Sequence, residues 1–238
     1  MIEEINFIDK KLKEYIEKNL LPEYDKNEKA HNIERIKYVI RRSFELIKQN
    51  SLKVNNNIVY VVAAYHDIGH YINPKKHEII SAEMMYKDEK LKKFFSEEER
   101  KIIKEAIEDH RASSDHEPRS IYGKIVSSAD RNTTIEMVFI RSFFVGKRNM
   151  ADKSVEEFLK FTLQRLRKRY GTENPENMFF ADNAYETFLQ DMRNLLDNGD
   201  EFKNRYCEVN HISSRENLLA QEPGETSYKN LFKTDIER

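Results

Sequence analysis

Residues that cross-link, loosen or break a backbone are scarce in this chain of 238, which holds one cysteine, six glycines and five prolines. A lone Cys207 cannot close an internal disulfide, which fits a reducing compartment and a cytoplasmic location. Glycine and proline together fall under half their usual share of about 12%, so tight turns should be few and helices long. No apolar run approaches the roughly 18 residues that a membrane-spanning helix needs, and the longest, such as 58–65, fall far short. The opening MIEEINFIDKKLKEY is charged throughout, so no secretory leader is expected. An excess of one charge sign is missing too, since 41 basic and 42 acidic residues leave a net charge of -1. That balance gives no drive toward long nucleic acid or a membrane surface. What the chain does have is 35% charged and 39% hydrophobic residues, with 14 Phe and 12 Tyr among the latter. That is enough apolar surface for a core, so disorder is not expected.

Helical spacing of the apolar residues supports an all-α fold. Apolar positions at 5, 8, 12, 16 and 20 make one stripe, which Pro22 should end. A second helix is predicted from about Lys29 to Gln49, burying Ile33, Ile36, Val39, Ile40, Phe44 and Ile47. The run IVYVVAAYHDIG within 55–70 is rich in β-branched residues, but its length and its closing Gly69 favour a buried helix. Further helices are expected over 76–86, from the Ser96–Glu99 capping box to about His110, over 120–145, from Ser154 to Tyr170, and over 183–206. No repeat or Gly/Ser linker interrupts them. One helical domain is expected, with an N-terminal helix over 1–24, a core over 25–150, C-terminal helices over 151–210 and a polar tail over 211–238. The charge runs at 87–93 and 165–169 fit solvated helix faces.

Seven histidines occur, and the densest cluster is His66-Asp67-Ile68-Gly69-His70. Imidazole and carboxylate together are the ligand set of divalent transition metals. An aspartate at the end of a buried helix is costly unless it is paired or metal-bound. Neighbouring residues point about 100° apart on a helix, so both reach one ion only near the helix end, where Gly69 lets the chain turn. Cys207 has no histidine context and fits a small packed residue. No GxxxxGK[ST] or GxSxG motif is present, so P-loop and α/β-hydrolase chemistry have no support.

The order His31, then His66-Asp67, then Asp130, each in a helical context, resembles the HD superfamily of metal-dependent phosphohydrolases over about residues 25–135. The resemblance implies an all-α HD-type bundle with additional C-terminal helices, and a divalent ion (Mn, Ni, Co, Fe, Zn or Mg) held by His31, His66, Asp67 and Asp130. Two further positions in order, His77 and His110, match the extra histidines of two-metal members; Asp67 would then bridge the ions. Two competing roles stay open for this pair, as structural groups at helix ends or as contacts to a substrate phosphate. His70 stands where deoxynucleotide triphosphohydrolases carry histidine, and with Asp67 it is a catalytic candidate, as proton donor to the leaving oxygen. The competing role for His70 is packing or capping. The chain lacks the Gly-Pro-Phe continuation of those enzymes and the Gly-Tyr-Pro motif of cyclic-dinucleotide phosphodiesterases.

Arg35, Lys75, Lys76, Arg111 and Arg131 offer positive charge for phosphate, or ion pairs with nearby carboxylates. Glu34 and Asp109 are candidates to orient a ligand imidazole, while His116 and His211 fit the surface. The resemblance thus implies hydrolysis of a phosphomonoester or phosphoanhydride of a small molecule, with a nucleotide the leading substrate. The competing expectations are a dinuclear-iron oxygenase and a non-catalytic nucleotide-binding regulator. A homo-oligomer is compatible with the sequence.

Overall fold

The computed structural model describes residues 7–27, 31–111, 116–150, 152–173 and 178–214. The expected helix starts at Ile2 and Lys29, and the tail beyond 214, lie outside them. Among the described residues there are ten α-helices and no strand, so the fold is all-α. None of these helices is long and apolar enough to cross a membrane. The helices group into two compact units, 1–131 with 178–181 and 132–177 with 182–238.

In the first unit α1 (Lys10–Tyr15) is capped by Asp9, whose carboxylate accepts from the amides of Lys11 and Leu12. It runs on through a π-helical turn (Ile16–Leu20) into a 3-10 helix (Leu21–Lys26). Pro22 therefore does not stop the chain as the sequence suggested. It occupies the first turn of the 3-10 helix, where a missing N–H leaves no hydrogen bond unmade. Asn32 caps α2 (Ile33–Gln49), which buries Ile36, Val39, Ile40 and Leu46. The β-branched run is a helix after all: α3 (Asn56–Tyr65) buries every residue from Ile58 to Tyr65. That complete burial follows from its neighbours, because α3 packs against α2, α4 (His77–Lys87), α5 (Glu97–Glu108), α6 (Ile121–Ala129) and the π-helical turn. The predicted Ser96–Glu99 capping box opens α5 with both reciprocal bonds made.

Gly69 serves α4 in a different way from the one expected. No glycine among the described residues has a positive φ. A Cβ on Gly69 would lie 2.6 Å from Ile80 Cγ2 and 2.9 Å from the Ser81 amide nitrogen. The glycine permits close approach, and its amide donates to Ser81 Oγ at 2.9 Å.

The second unit holds α7 (Ile135–Asn149), α8 (Val155–Tyr170), α9 (Asn183–Asp197) and α10 (Gly199–Val209). Its core is aromatic: the Phe139 ring meets Phe202 at 5.4 Å and Tyr206 at 4.8 Å between centroids. Two predicted helices are each broken in two. The expected 120–145 helix stops at Asp130 and resumes at Ile135, and the 183–206 helix breaks at Asn198, whose side chain caps α10.

Candidate metal centre

Four helix ends of the first unit bring the chemistry together. His66 is the C-cap of α3, His77 the first residue of α4, His110 follows the C-cap of α5, and Asp130 is the C-cap of α6. Helix ends suit this purpose because the chain leaves its axis there and successive side chains can converge. After His66 the backbone runs through short turns, with amides of Ile68, His70 and Ile72 donating to the carbonyls of Tyr65, Asp67 and Gly69.

Asp67 is the meeting point. Its Oδ1 lies 3.1 Å from His77 Nε2 and 3.4 Å from His110 Nε2, and those two nitrogens are 3.2 Å apart. Its Oδ2 lies 3.3 Å from His66 Nε2, which is 3.7 Å from Asp130 Oδ1. Two donor triads result, Asp67–His77–His110 and His66–Asp67–Asp130, sharing one carboxylate. All three imidazoles are aimed by the same device. The Nδ1 of His66, His77 and His110 bonds the carbonyl three residues upstream, of Ala63, Pro74 and Ile107, at 2.8, 2.9 and 2.7 Å. Each Nε2 therefore faces inward. The expected orienters do not take part: Asp109 accepts four hydrogen bonds from the amide, Nε and Nη2 of Arg119, and Glu34 pairs with Lys37.

A divalent ion fits these donors. His66 Nε2 is buried and makes no hydrogen bond, although imidazole nitrogens in a protein interior ordinarily do. The Asp67–His77–His110 triangle also has the right size, since N and O donors at about 2.0–2.2 Å around a tetrahedral ion stand about 3.3 Å apart. Electrostatics agree. Burial pushes the His66 imidazole down, but the carboxylates of Asp67 and Asp130 outweigh it and hold it up at about 10. Burial raises Asp67, yet the surrounding imidazoles of His66, His110 and His77 hold it well below the usual carboxylate range. Asp130 is likewise driven up by burial and down, more strongly, by Arg35 and His66. Protons thus stand where a cation would.

The remaining candidates are spread around this centre. His31 lies outside both triads, and its ring stacks on His70 with centroids 3.7 Å apart and planes 20° from parallel. The His70 ring in turn lies 5.2 Å from that of His77. Arg35 is 1% exposed and donates to the backbone carbonyl and, at 2.8 Å, to Oδ1 of Asp130. It holds the Asp130 carboxylate in place and, being buried, is not open to substrate in the way the sequence suggested. Arg111 donates to Glu78 Oε2 and the Lys75 carbonyl. Lys76 is exposed immediately before His77. Arg131 reaches Met178 Sδ at 3.4 Å through Nη1. One residue carried no mark in the sequence. The Asn27 carboxamide donates to the carbonyls of His31 and Asp67 at 3.1 and 3.0 Å and accepts from the Tyr71 amide at 2.8 Å. A lone asparagine before a helix has no pattern around it that could have revealed this.

The same stretch matches a known family. Residues 30–134, somewhat under half of the chain, match the family model of the HD domain. Over that stretch the chain is similar to the HD domain. The match begins one residue before His31 and ends four beyond Asp130, so every donor of the two triads falls within it. The HD domain belongs to a superfamily of metal-dependent phosphohydrolases, some of whose members are non-catalytic. Neither curated proteins nor solved structures yield a match to this chain.

Proposed function

We propose that the protein is a metal-dependent phosphohydrolase acting on a small phosphorylated molecule, with a nucleotide as the leading substrate class. The observation that carries it is Asp67, one buried carboxylate whose two oxygens face two separate sets of imidazole and carboxylate donors. His66, Asp67 and Asp130 would hold one ion and Asp67, His77 and His110 a second, with His31 as a further ligand of the first. When bound, such ions offset charge on phosphoryl oxygens and acidify water near neutral pH.

The chain's own residues supply the rest. Arg35 fixes Asp130 from behind with a buried, charge-assisted bond. Asn27 ties the backbone at His31 to that at Asp67. His70, buried beside His31, would hold a proton for the leaving oxygen. Lys76 and Arg131 would offer positive charge to the substrate phosphate. Substrate binding, the absence of long nucleic acid or membrane as partners, and a cytoplasmic setting all belong to this proposal.

The test is a phosphate-release screen over nucleoside mono-, di- and triphosphates with Mn, Ni, Co and Mg in turn. Release is expected with at least one pair, and its loss in Asp67→Ala with unchanged circular dichroism. Equal release by that variant contradicts the proposal. The convergence of His77 and His110 on Asp67 also favours a second reading, a dinuclear-iron oxygenase. Oxygen uptake by the iron-loaded protein, without phosphate release under any metal, would select it. Nucleotide binding with neither activity would select a regulatory HD protein.

A further inference from the structure

We propose that Arg111 is a positioning residue for the His77–His110 half of the centre, setting whether the second ion binds, and that it does not contact substrate. The proposal rests on the two-ion reading above. His77 and His110 come from opposite kinds of helix end, the start of α4 and the finish of α5, and their Nε2 atoms stand 3.2 Å apart. The α4 start has no side-chain cap of its own. The residue after His110 reaches this uncapped end. Arg111 Nη1 donates to the Lys75 carbonyl at 3.1 Å and to Glu78 Oε2 at 3.2 Å.

Both acceptors flank His77. Lys75 adjoins Pro74, whose carbonyl aims the His77 ring, and Glu78 Oε2 lies 3.6 Å from His77 Nδ1. One guanidinium nitrogen therefore joins the loop before α4, the first turn of α4 and the end of α5, on the side of His77 turned away from Asp67. His66 and Asp130 of the other triad have no share in this clamp, because they are fixed by Ala63 and Arg35. Outer partners of metal ligands change ion affinity by roughly tenfold to a hundredfold. An ammonium on a shorter, more flexible stem would hold the two acceptors only in part.

Mn(II) titration of the chelator-stripped full chain, with free Mn read by electron paramagnetic resonance, tests this without turnover. The unaltered protein should bind two Mn per chain. Arg111→Ala should keep the tighter site unchanged and weaken the other by roughly tenfold or more, with Arg111→Lys in between. Glu78→Gln, which preserves shape, should weaken the same site. Two unchanged sites in Arg111→Ala overturn the assignment and return Arg111 to a substrate role. Weakening of both sites equally, at unchanged helical circular dichroism, also overturns it. If Arg111→Ala loses helicity, Glu78→Gln decides by the same two criteria. A single Mn in the unaltered protein refutes the two-ion reading itself, and the inference with it.

Discussion

At the residue scale, the centre is a set of charges arranged to be completed. Asp67 and Asp130 are held deprotonated while His66 is held up at about 10, so at neutral pH the ion-free site carries an imidazolium between two carboxylates. An ion needs the neutral imidazole, so binding must expel that proton. Mn titration calorimetry at pH 7 in buffers of different ionisation enthalpy should therefore show release of about one proton or more per chain. A binding heat independent of the buffer contradicts this. The sign for stability follows from the same shift. The His66 pKa is raised above its ordinary 6.5, so its contribution to the ion-free fold is complete below that pH and is lost as pH rises toward about 10. The depressed carboxylates act oppositely, contributing above their ordinary range and failing only in strong acid. The candidacy of His66, Asp67, His77, His110 and Asp130 was legible in the sequence because side-chain type carries metal chemistry. The aim of each ring was not legible. It is set by carbonyls of Ala63, Pro74 and Ile107, and every residue has a carbonyl.

At the element scale, side-chain signals marked helix ends well and breaks poorly. Ser96 and Ser154 cap where the sequence placed them, since a hydroxyl that accepts an orphan amide is a local device. The gap between α6 and α7 was hidden because apolar residues continue on both sides of 130–134. The break at Asn198 was hidden because Asn caps a helix only when the chain around it turns. Pro22 misled in the opposite sense, as a 3-10 first turn tolerates it. Gly69 stood out correctly but for a different reason, the packing of α4 onto the HDIGH turn. Gly69→Ala would press a methyl against Ile80 and the Ser81 backbone. A loss of about 1–3 kcal/mol is expected from such overpacking, read as a lower urea midpoint at unchanged slope. An unchanged midpoint would show that α4 shifts freely, and that Gly69 is not needed for close approach.

At the scale of the whole molecule, scarcity and balance both acquire a purpose. Few glycines and prolines leave a chain of helices whose ends, not loops, carry the chemistry. A net charge of -1 does not preclude an anionic substrate, because bound cations would supply the attraction locally. The helices after 131 form a second compact unit with its own aromatic core, and none of the donors of the two triads lies in it. The most direct test of the centre is anomalous diffraction at the Mn edge from crystals grown with Mn(II). Two peaks are predicted, both within bonding distance of Asp67, one shared with His77 and His110 and one with His66 and Asp130. Mn bound elsewhere in the crystal with no peak at Asp67 would contradict the account.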